Sequence, residues 1–236
     1  MSTRNRCCLL FIRPQGDDDL RADAVSFVLY RAALSFLNEG PEEKAASLVS
    51  QIDSKMRRAM VSLALAQRLT SEPTNVKSNQ QILDRERALS ILENIDRDLA
   101  RESSPGAARL ALGRVAVLAK LNPERALVEL GKVVDLIDKI QGYDLLSPAA
   151  PNLGLSGFSV SAATVAAPGL RFDFRTAVDP LVLSDFEQVV SSAERFQSKE
   201  LKGIARLEVA RLYLMRTNSQ APKNEVSSRH QVAPAK

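Results

Sequence analysis

Apolar residues recur along this chain at helical spacing, and the polar residues between them carry start and stop signals. After Gly16-Asp17-Asp18-Asp19, whose acids suit the positive end of a helix, Leu20, Ala24, Phe27, Val28, Ala32 and Phe36 form one stripe and Gly40 closes it, which predicts a helix over 18–38. Pro41-Glu42-Glu43 opens a second helix with Ala45, Leu48, Val49 and Ile52 on its buried side. Asp53 and Ser54 break that pattern and cap a third helix, running through Met56, Met60, Leu63 and Ala66 to about Leu69. So short a connection makes the second and third helices an antiparallel hairpin. A polar linker over 71–79 leads to a fourth helix at 81–101, with Ile82, Leu89, Leu92, Ile95 and Leu99. Ser104-Pro105 and Asn122-Pro123-Glu124 each supply a capping side chain followed by proline, and open a fifth and a sixth helix. The fifth carries Leu110, Leu112, Val115, Leu118 and Leu121; the sixth carries Leu127, Leu130, Val133, Val134, Ile137 and Ile140 and stops at Gly142.

The pattern then changes. Residues 143–178 are rich in Ser, Gly, Pro and Ala and nearly free of charge, so 143–180 reads as one long loop inserted in the helical body. Within it, Gly157 to Val165 and Phe172-Asp173-Phe174-Arg175 alternate enough for two short strands. Helix resumes near Ser184 with Phe186, Val189, Val190, Ala193 and Phe196. After Gln197-Ser198 a last helix carries Leu201, Ile204, Leu207, Ala210 and Leu212. The expected organisation is a flexible basic segment at 1–15, a helical domain of about eight helices at 16–215, and a disordered basic tail at 216–236.

Residues 45–69 laid over 189–213 without gaps match small to small and apolar to apolar: Ile52 on Phe196, Ser54-Lys55 on Ser198-Lys199, Ala59 on Gly203, Leu63 on Leu207, Ala66 on Ala210. A short helix, a tight polar turn and a longer helix with a small residue at its crossing point form the repeated unit. One such pair cannot bury its apolar face alone, so stacking is expected. On these residues the chain resembles the tetratricopeptide-like class of α-helical hairpin repeats, and is similar to uncharacterised bacterial helical-repeat proteins, over 18–140 and 181–215. The Trp, Leu-Gly, Tyr and late-Pro pattern of the tetratricopeptide motif is missing at 34-residue spacing. The resemblance implies an all-α fold of stacked antiparallel hairpins, an α-solenoid or an irregular helical bundle, and a habit of binding proteins or peptides. It implies no catalytic residue.

Composition agrees with helix: aromatics are 5% of the 236 residues and tryptophan is absent. The net charge of +4 belongs to the ends. Arg4, Arg6 and Arg13 stand without an acid in 1–15, and Arg216, Lys223, Arg229 and Lys236 face only Glu225 in 216–236, which leaves the body slightly acidic. A basic folded face for nucleic acid is therefore not expected. Cys7 and Cys8 are adjacent and are the only cysteines, so no disulfide scaffold forms and a reducing compartment fits. The apolar run Cys7–Ile12 is too short for a signal peptide, and no run approaches a membrane span. A cytoplasmic location follows, with export as the alternative if the start codon is misplaced.

Chemistry is sparse. His230, the only histidine, falls in the tail, so no Ser-His-Asp, Cys-His or Cys/His zinc constellation can be assembled in the body, and neither metal nor cofactor is expected. Asp17-Asp18-Asp19 lacks the alternation of a calcium loop, and Gly154-Leu155-Ser156-Gly157 lacks the second glycine of a nucleophile elbow, Phe158 standing there instead. Asp96 with Asp98, and Asp135 with Asp138, read as solvated helix surface. The expected function is a non-enzymatic protein–protein interaction or scaffold module working through a helical-repeat surface. Leu155, Phe158, Phe172 and Phe174 are the candidate anchors of a partner-binding loop. The alternative is a small-ligand binder or enzyme whose pocket the 143–180 loop completes.

Overall fold

A computed structural model describes residues 16–71, 78–146 and 172–220, with side chains over 20–71, 79–146 and 172–219. These residues form nine helices and no strand: α1 (Gly16–Glu39), α2 (Glu42–Val49), α3 (Lys55–Leu69), α4 (Ser78–Leu99), α5 (Pro105–Leu121), α6 (Pro123–Ile137), α7 (Phe174–Val178), α8 (Phe186–Glu194) and α9 (Lys199–Gln220). Local chemistry accounts for several boundaries. The Ser104 side chain accepts the Ala107 N–H at 3.2 Å and the Asn122 side chain accepts the Arg125 N–H at 2.9 Å, each with proline next in the helix. Gly142, at φ 67°, takes the left-handed conformation that ends the turns after α6.

Sequence neighbours pack as hairpins: α1 on α2, α3 on α4, α5 on α6 and α8 on α9. The odd-numbered helices also touch in succession, α1 to α3 to α5 to α7 to α9, and α6 touches α8. The result is an all-α stack of the kind a helical bundle or solenoid provides, with one continuous apolar core running through it. Gly113 lets that core close. A Cβ there would come within 2.7 Å of Leu63 on α3 and would collide with the Phe172 ring.

Three expectations need correcting. Phe172-Asp173-Phe174-Arg175 is not a strand: Asp173 caps α7 by accepting the Thr176 N–H at 2.7 Å, and Phe174, Ala177 and Val178 are buried at helical spacing. The short alternation masked a capped turn, and α7 is the helix beyond the expected eight. The stripe of α1 is rotated: Ser26, Tyr30, Ala33, Leu34 and Leu37 are buried, whereas Leu20 and Val28 are exposed. Polar-ended residues face inward there because they have partners, Ser26 Oγ accepting the Ser54 N–H at 3.2 Å. α9 continues to Gln220, and Arg216, assigned to the tail, pairs with Asp179 with Nε 2.9 Å from Oδ1. The proposed strand at Gly157–Val165 lies outside the described residues.

Ion pairs knit the stack. Arg57, buried on α3, reaches Asp23 on α1 at 2.5 Å and lies 5.5 Å from the Phe27 ring centre. Arg114 on α5 is buried and reaches both neighbouring helices: its Nε donates to the Leu92 carbonyl of α4 at 3.1 Å, and its Nη1 lies 2.8 Å from Asp96 of α4 and 3.0 Å from Glu129 of α6. Glu129 also receives Lys132 at 2.8 Å. Burial opposes ionisation of Glu129, but Lys132 and Arg114 together outweigh it and hold the carboxyl below its ordinary value.

Two outcomes follow. Arg114→Ala leaves Glu129 charged and buried with Lys132 as its remaining partner, and is expected to cost about 3–5 kcal/mol in denaturant unfolding. Because Glu129 is more acidic folded than unfolded, its contribution is complete above its unfolded value and disappears as pH falls through the lower folded one. Glu129→Gln should therefore flatten the acid limb of a stability–pH curve relative to the parent.

Candidate functional site

The most chemically distinctive depression among the described residues lies between α2, α3 and α4, with a volume of about 430 Å³. Helical register builds it. Arg58, Ser62 and Leu65 recur at i, i+4 and i+7 on one face of α3, and Arg87, Ile91, Asn94 and Asp98 do so on one face of α4. Ala46, Val49 and Ser50 of α2 complete the wall. The surface is apolar on its aliphatic side, through Ala46, Val49, Leu65 and Ile91, and polar otherwise, with the guanidinium groups of Arg58, Arg87 and Arg97 in its wall.

The three arginines are held differently. Arg58 makes a fork-on-fork pair with Asp98, Nε to Oδ2 at 2.9 Å and Nη2 to Oδ1 at 2.7 Å, while its Nη1 donates to the Ile52 carbonyl at 3.0 Å. It therefore locks α3, α4 and the turn after α2 together. Arg87 reaches Glu42 at 3.0 Å across to α2. Burial pushes the Glu42 carboxyl up, against the pull of Arg87 and Arg68. Arg97 donates to the Asn94 side chain and, among the described residues, forms no ion pair. Its guanidinium keeps donors to spare for an incoming carboxylate. Asp98, the one carboxylate in the lining, is engaged by two bonds from Arg58, so it offers no free base to Ser50 or Ser62.

Two other depressions are less suited to a ligand. One, about 430 Å³, lies between the turns after α6 and the start of α9, lined by Asp138, Tyr143, Asp144 and Glu200 among others. Asp138 there accepts the Gln197 N–H at 2.8 Å, and burial pushes the Tyr143 hydroxyl up to about 12, so the phenol stays protonated. No group of three or more potential metal ligands occurs among the described residues. The other, about 330 Å³, is where Phe172 and Gly113 meet.

Of the candidate anchors, Phe172 and Phe174 are buried; Phe174 packs edge-on against Phe196 with ring centres 6.0 Å apart. Both fasten α7 into the core, and neither faces outward. Leu155 and Phe158 lie outside the described residues, as do Cys7, Cys8, His230 and the Gly154–Gly157 stretch. Asp17, Asp18 and Asp19 fall in the first turn of α1. The acidic pairs are not free surface: Asp96 meets Arg114, Asp98 meets Arg58, and Asp135 meets Arg195 at the end of α8.

Reading the sequence passed over Arg58, Arg87 and Arg97. The signal was present as the i, i+4, i+7, i+11 recurrence on α4, but the cross-helix pairing that leaves Arg97 unspent depends on tertiary placement. No helix among the described residues is long and apolar enough to cross a membrane. No protein-family model, curated protein or solved structure matches the chain.

Proposed function

We propose that this protein is a non-enzymatic interaction module of tetratricopeptide-like helical hairpins that holds an acidic segment of another protein in the α2–α3–α4 groove. The observation that carries the reading is the groove itself: three guanidinium groups over an aliphatic wall, one of them without an ion pair among the described residues. Guanidinium groups bind carboxylates through paired N–H donors, and the aliphatic wall accepts an apolar side chain beside the acid. The stacked hairpins and the engagement of the only lining carboxylate support binding rather than catalysis. A cytoplasmic location belongs to the same proposal, supported by adjacent cysteines that cannot build a disulfide framework. A second reading, an anionic small molecule in the same place, is favoured by the groove's volume, which lies within the range of roughly 300–1,000 Å³ usual for small-ligand sites.

Fluorescence anisotropy with a labelled Glu/Leu peptide and its Gln/Leu counterpart tests the main reading. The acidic peptide should bind more tightly, the difference should shrink with added salt, and Arg97→Glu should weaken it by about tenfold or more without changing helical content. Equal binding of the two peptides, or no effect of Arg97→Glu, would refute it. A melting shift with small aromatic carboxylates but no binding of the peptide would favour the second reading.

A further inference from the structure

The offset of the sequence repeat recurs in the helix boundaries, and the second copy lacks a cover on one face. At an offset of 144 residues, the starts of α2 and α3 at Glu42 and Lys55 fall on the starts of α8 and α9 at Phe186 and Lys199. The inward positions agree: Ala45 and Val189, Ile52 and Phe196, and Leu65 and Val209 are all buried. The outer face does not. Leu63 is fully buried under α5 beside Gly113, whereas its counterpart Leu207 is 74% exposed, and Leu214 on the same face is 59% exposed. The expectation that Leu207 and Ala210 are core residues is thus corrected, because among the described residues no further helix follows α9 to cover them.

We infer that this face of α9 pairs antiparallel with α9 of a second copy of the chain, through Gly203, Leu207, Ala210 and Leu214. These four residues recur at i, i+4, i+7 and i+11 and share one stripe. Their order is self-complementary about a two-fold axis passing between residues 208 and 209. Reversal places Leu207 on the second copy's Ala210 and Leu214 on its Gly203, a large side chain on a small one at every contact. The intramolecular counterpart uses the same device, with Leu63 seated on Gly113.

Gly203 supplies an independent reason. A glycine inside a helix costs about 1 kcal/mol relative to alanine. The space at Gly113 is filled by Phe172 and Leu63, and that at Gly131 by Arg195, but a Cβ on Gly203 would meet nothing within 4 Å. Nothing within the described chain uses its small size; close approach of a second helix does. On the flanks, Arg206 lies 3.1 Å from Glu194 and Arg211 lies 3.8 Å from Glu208. The two arginines that reversal brings together thus each have an acid within 4 Å, Glu208 being shared with Arg175 and Glu194 with Lys202. The stripe is small beside the roughly 800 Å² per partner of a standard interface, so a weak, concentration-dependent dimer is expected.

Sedimentation velocity of the full chain over a concentration series tests this. A monomer–dimer equilibrium with no larger species is expected. Ala210→Leu, which sets leucine against leucine, should weaken it at least tenfold, and the swapped pair Leu207→Ala with Ala210→Leu should restore it. Both positions are exposed, so circular dichroism should show the same helical content in every variant. A monomer at all concentrations, open-ended growth (the sign of α9 docking on the exposed Val25 and Val28 of α1), or a swap that fails to restore the dimer would each overturn the inference.

Discussion

The buried guanidinium of Arg114 is the constraint on which the middle of the stack depends. It sits on α5 with both of its neighbours in the row of hairpins within reach, touching α4 through the Leu92 carbonyl and Asp96, and α6 through Glu129. Burying one charge is unfavourable, and the arrangement is tolerated only because every partner is in place at once. That makes the pairing a test of register. A slide of α5 by one turn against either neighbour would strand a charge inside, whereas a purely aliphatic interface of Leu, Val and Ala would adapt to the slip. Arg57 does the same between α3 and α1, and Arg58 between α3 and α4. An aromatic-poor core of small and branched side chains has few shape keys of its own, and the arginines supply the directionality.

How much of this was legible in the sequence depended on the range of the interaction. Caps act within four residues, so Ser104 and Asn122 announced α5 and α6 correctly; the short turn between α2 and α3 was placed correctly too, but α2 packs chiefly on α1 and α3 on α4 rather than on each other. Burial depends on what lies across the interface. α1 turned its Ser26–Tyr30 side inward because Ser54 and Arg57 on α3 have bonds to make there, and counting only aliphatic residues chose the wrong stripe. α7 was hidden because five residues are too few to separate helical spacing from alternation, and only the Asp173 cap betrayed it.

The site was less legible than the fold for the same reason. Asp96, Asp98 and Asp135 are each half of a cross-helix pair with an arginine far away in sequence, and Asp138 instead accepts the Gln197 N–H. The groove is defined by what those pairings leave over. Arg58 and Arg87 are consumed in fixing α2, α3 and α4, and that rigidity holds Arg97 beside an aliphatic wall. The rigid scaffold and the binding chemistry are thus built from the same residue type, separated only by whether an acid is within reach.

On either side of residues 147–171 the described chain is fastened together. The Phe174 N–H donates to the Leu145 carbonyl at 3.3 Å, and Phe172 and Phe174 are sunk in the core on the returning side. Residues 147–171 therefore join two points that already lie side by side. The entropy of closing such an excursion rises with the logarithm of its length, about 0.6 kcal/mol for each doubling. The packing of α7 against α5 and α9 is set by its own buried side chains, so the junction is held from the helical side.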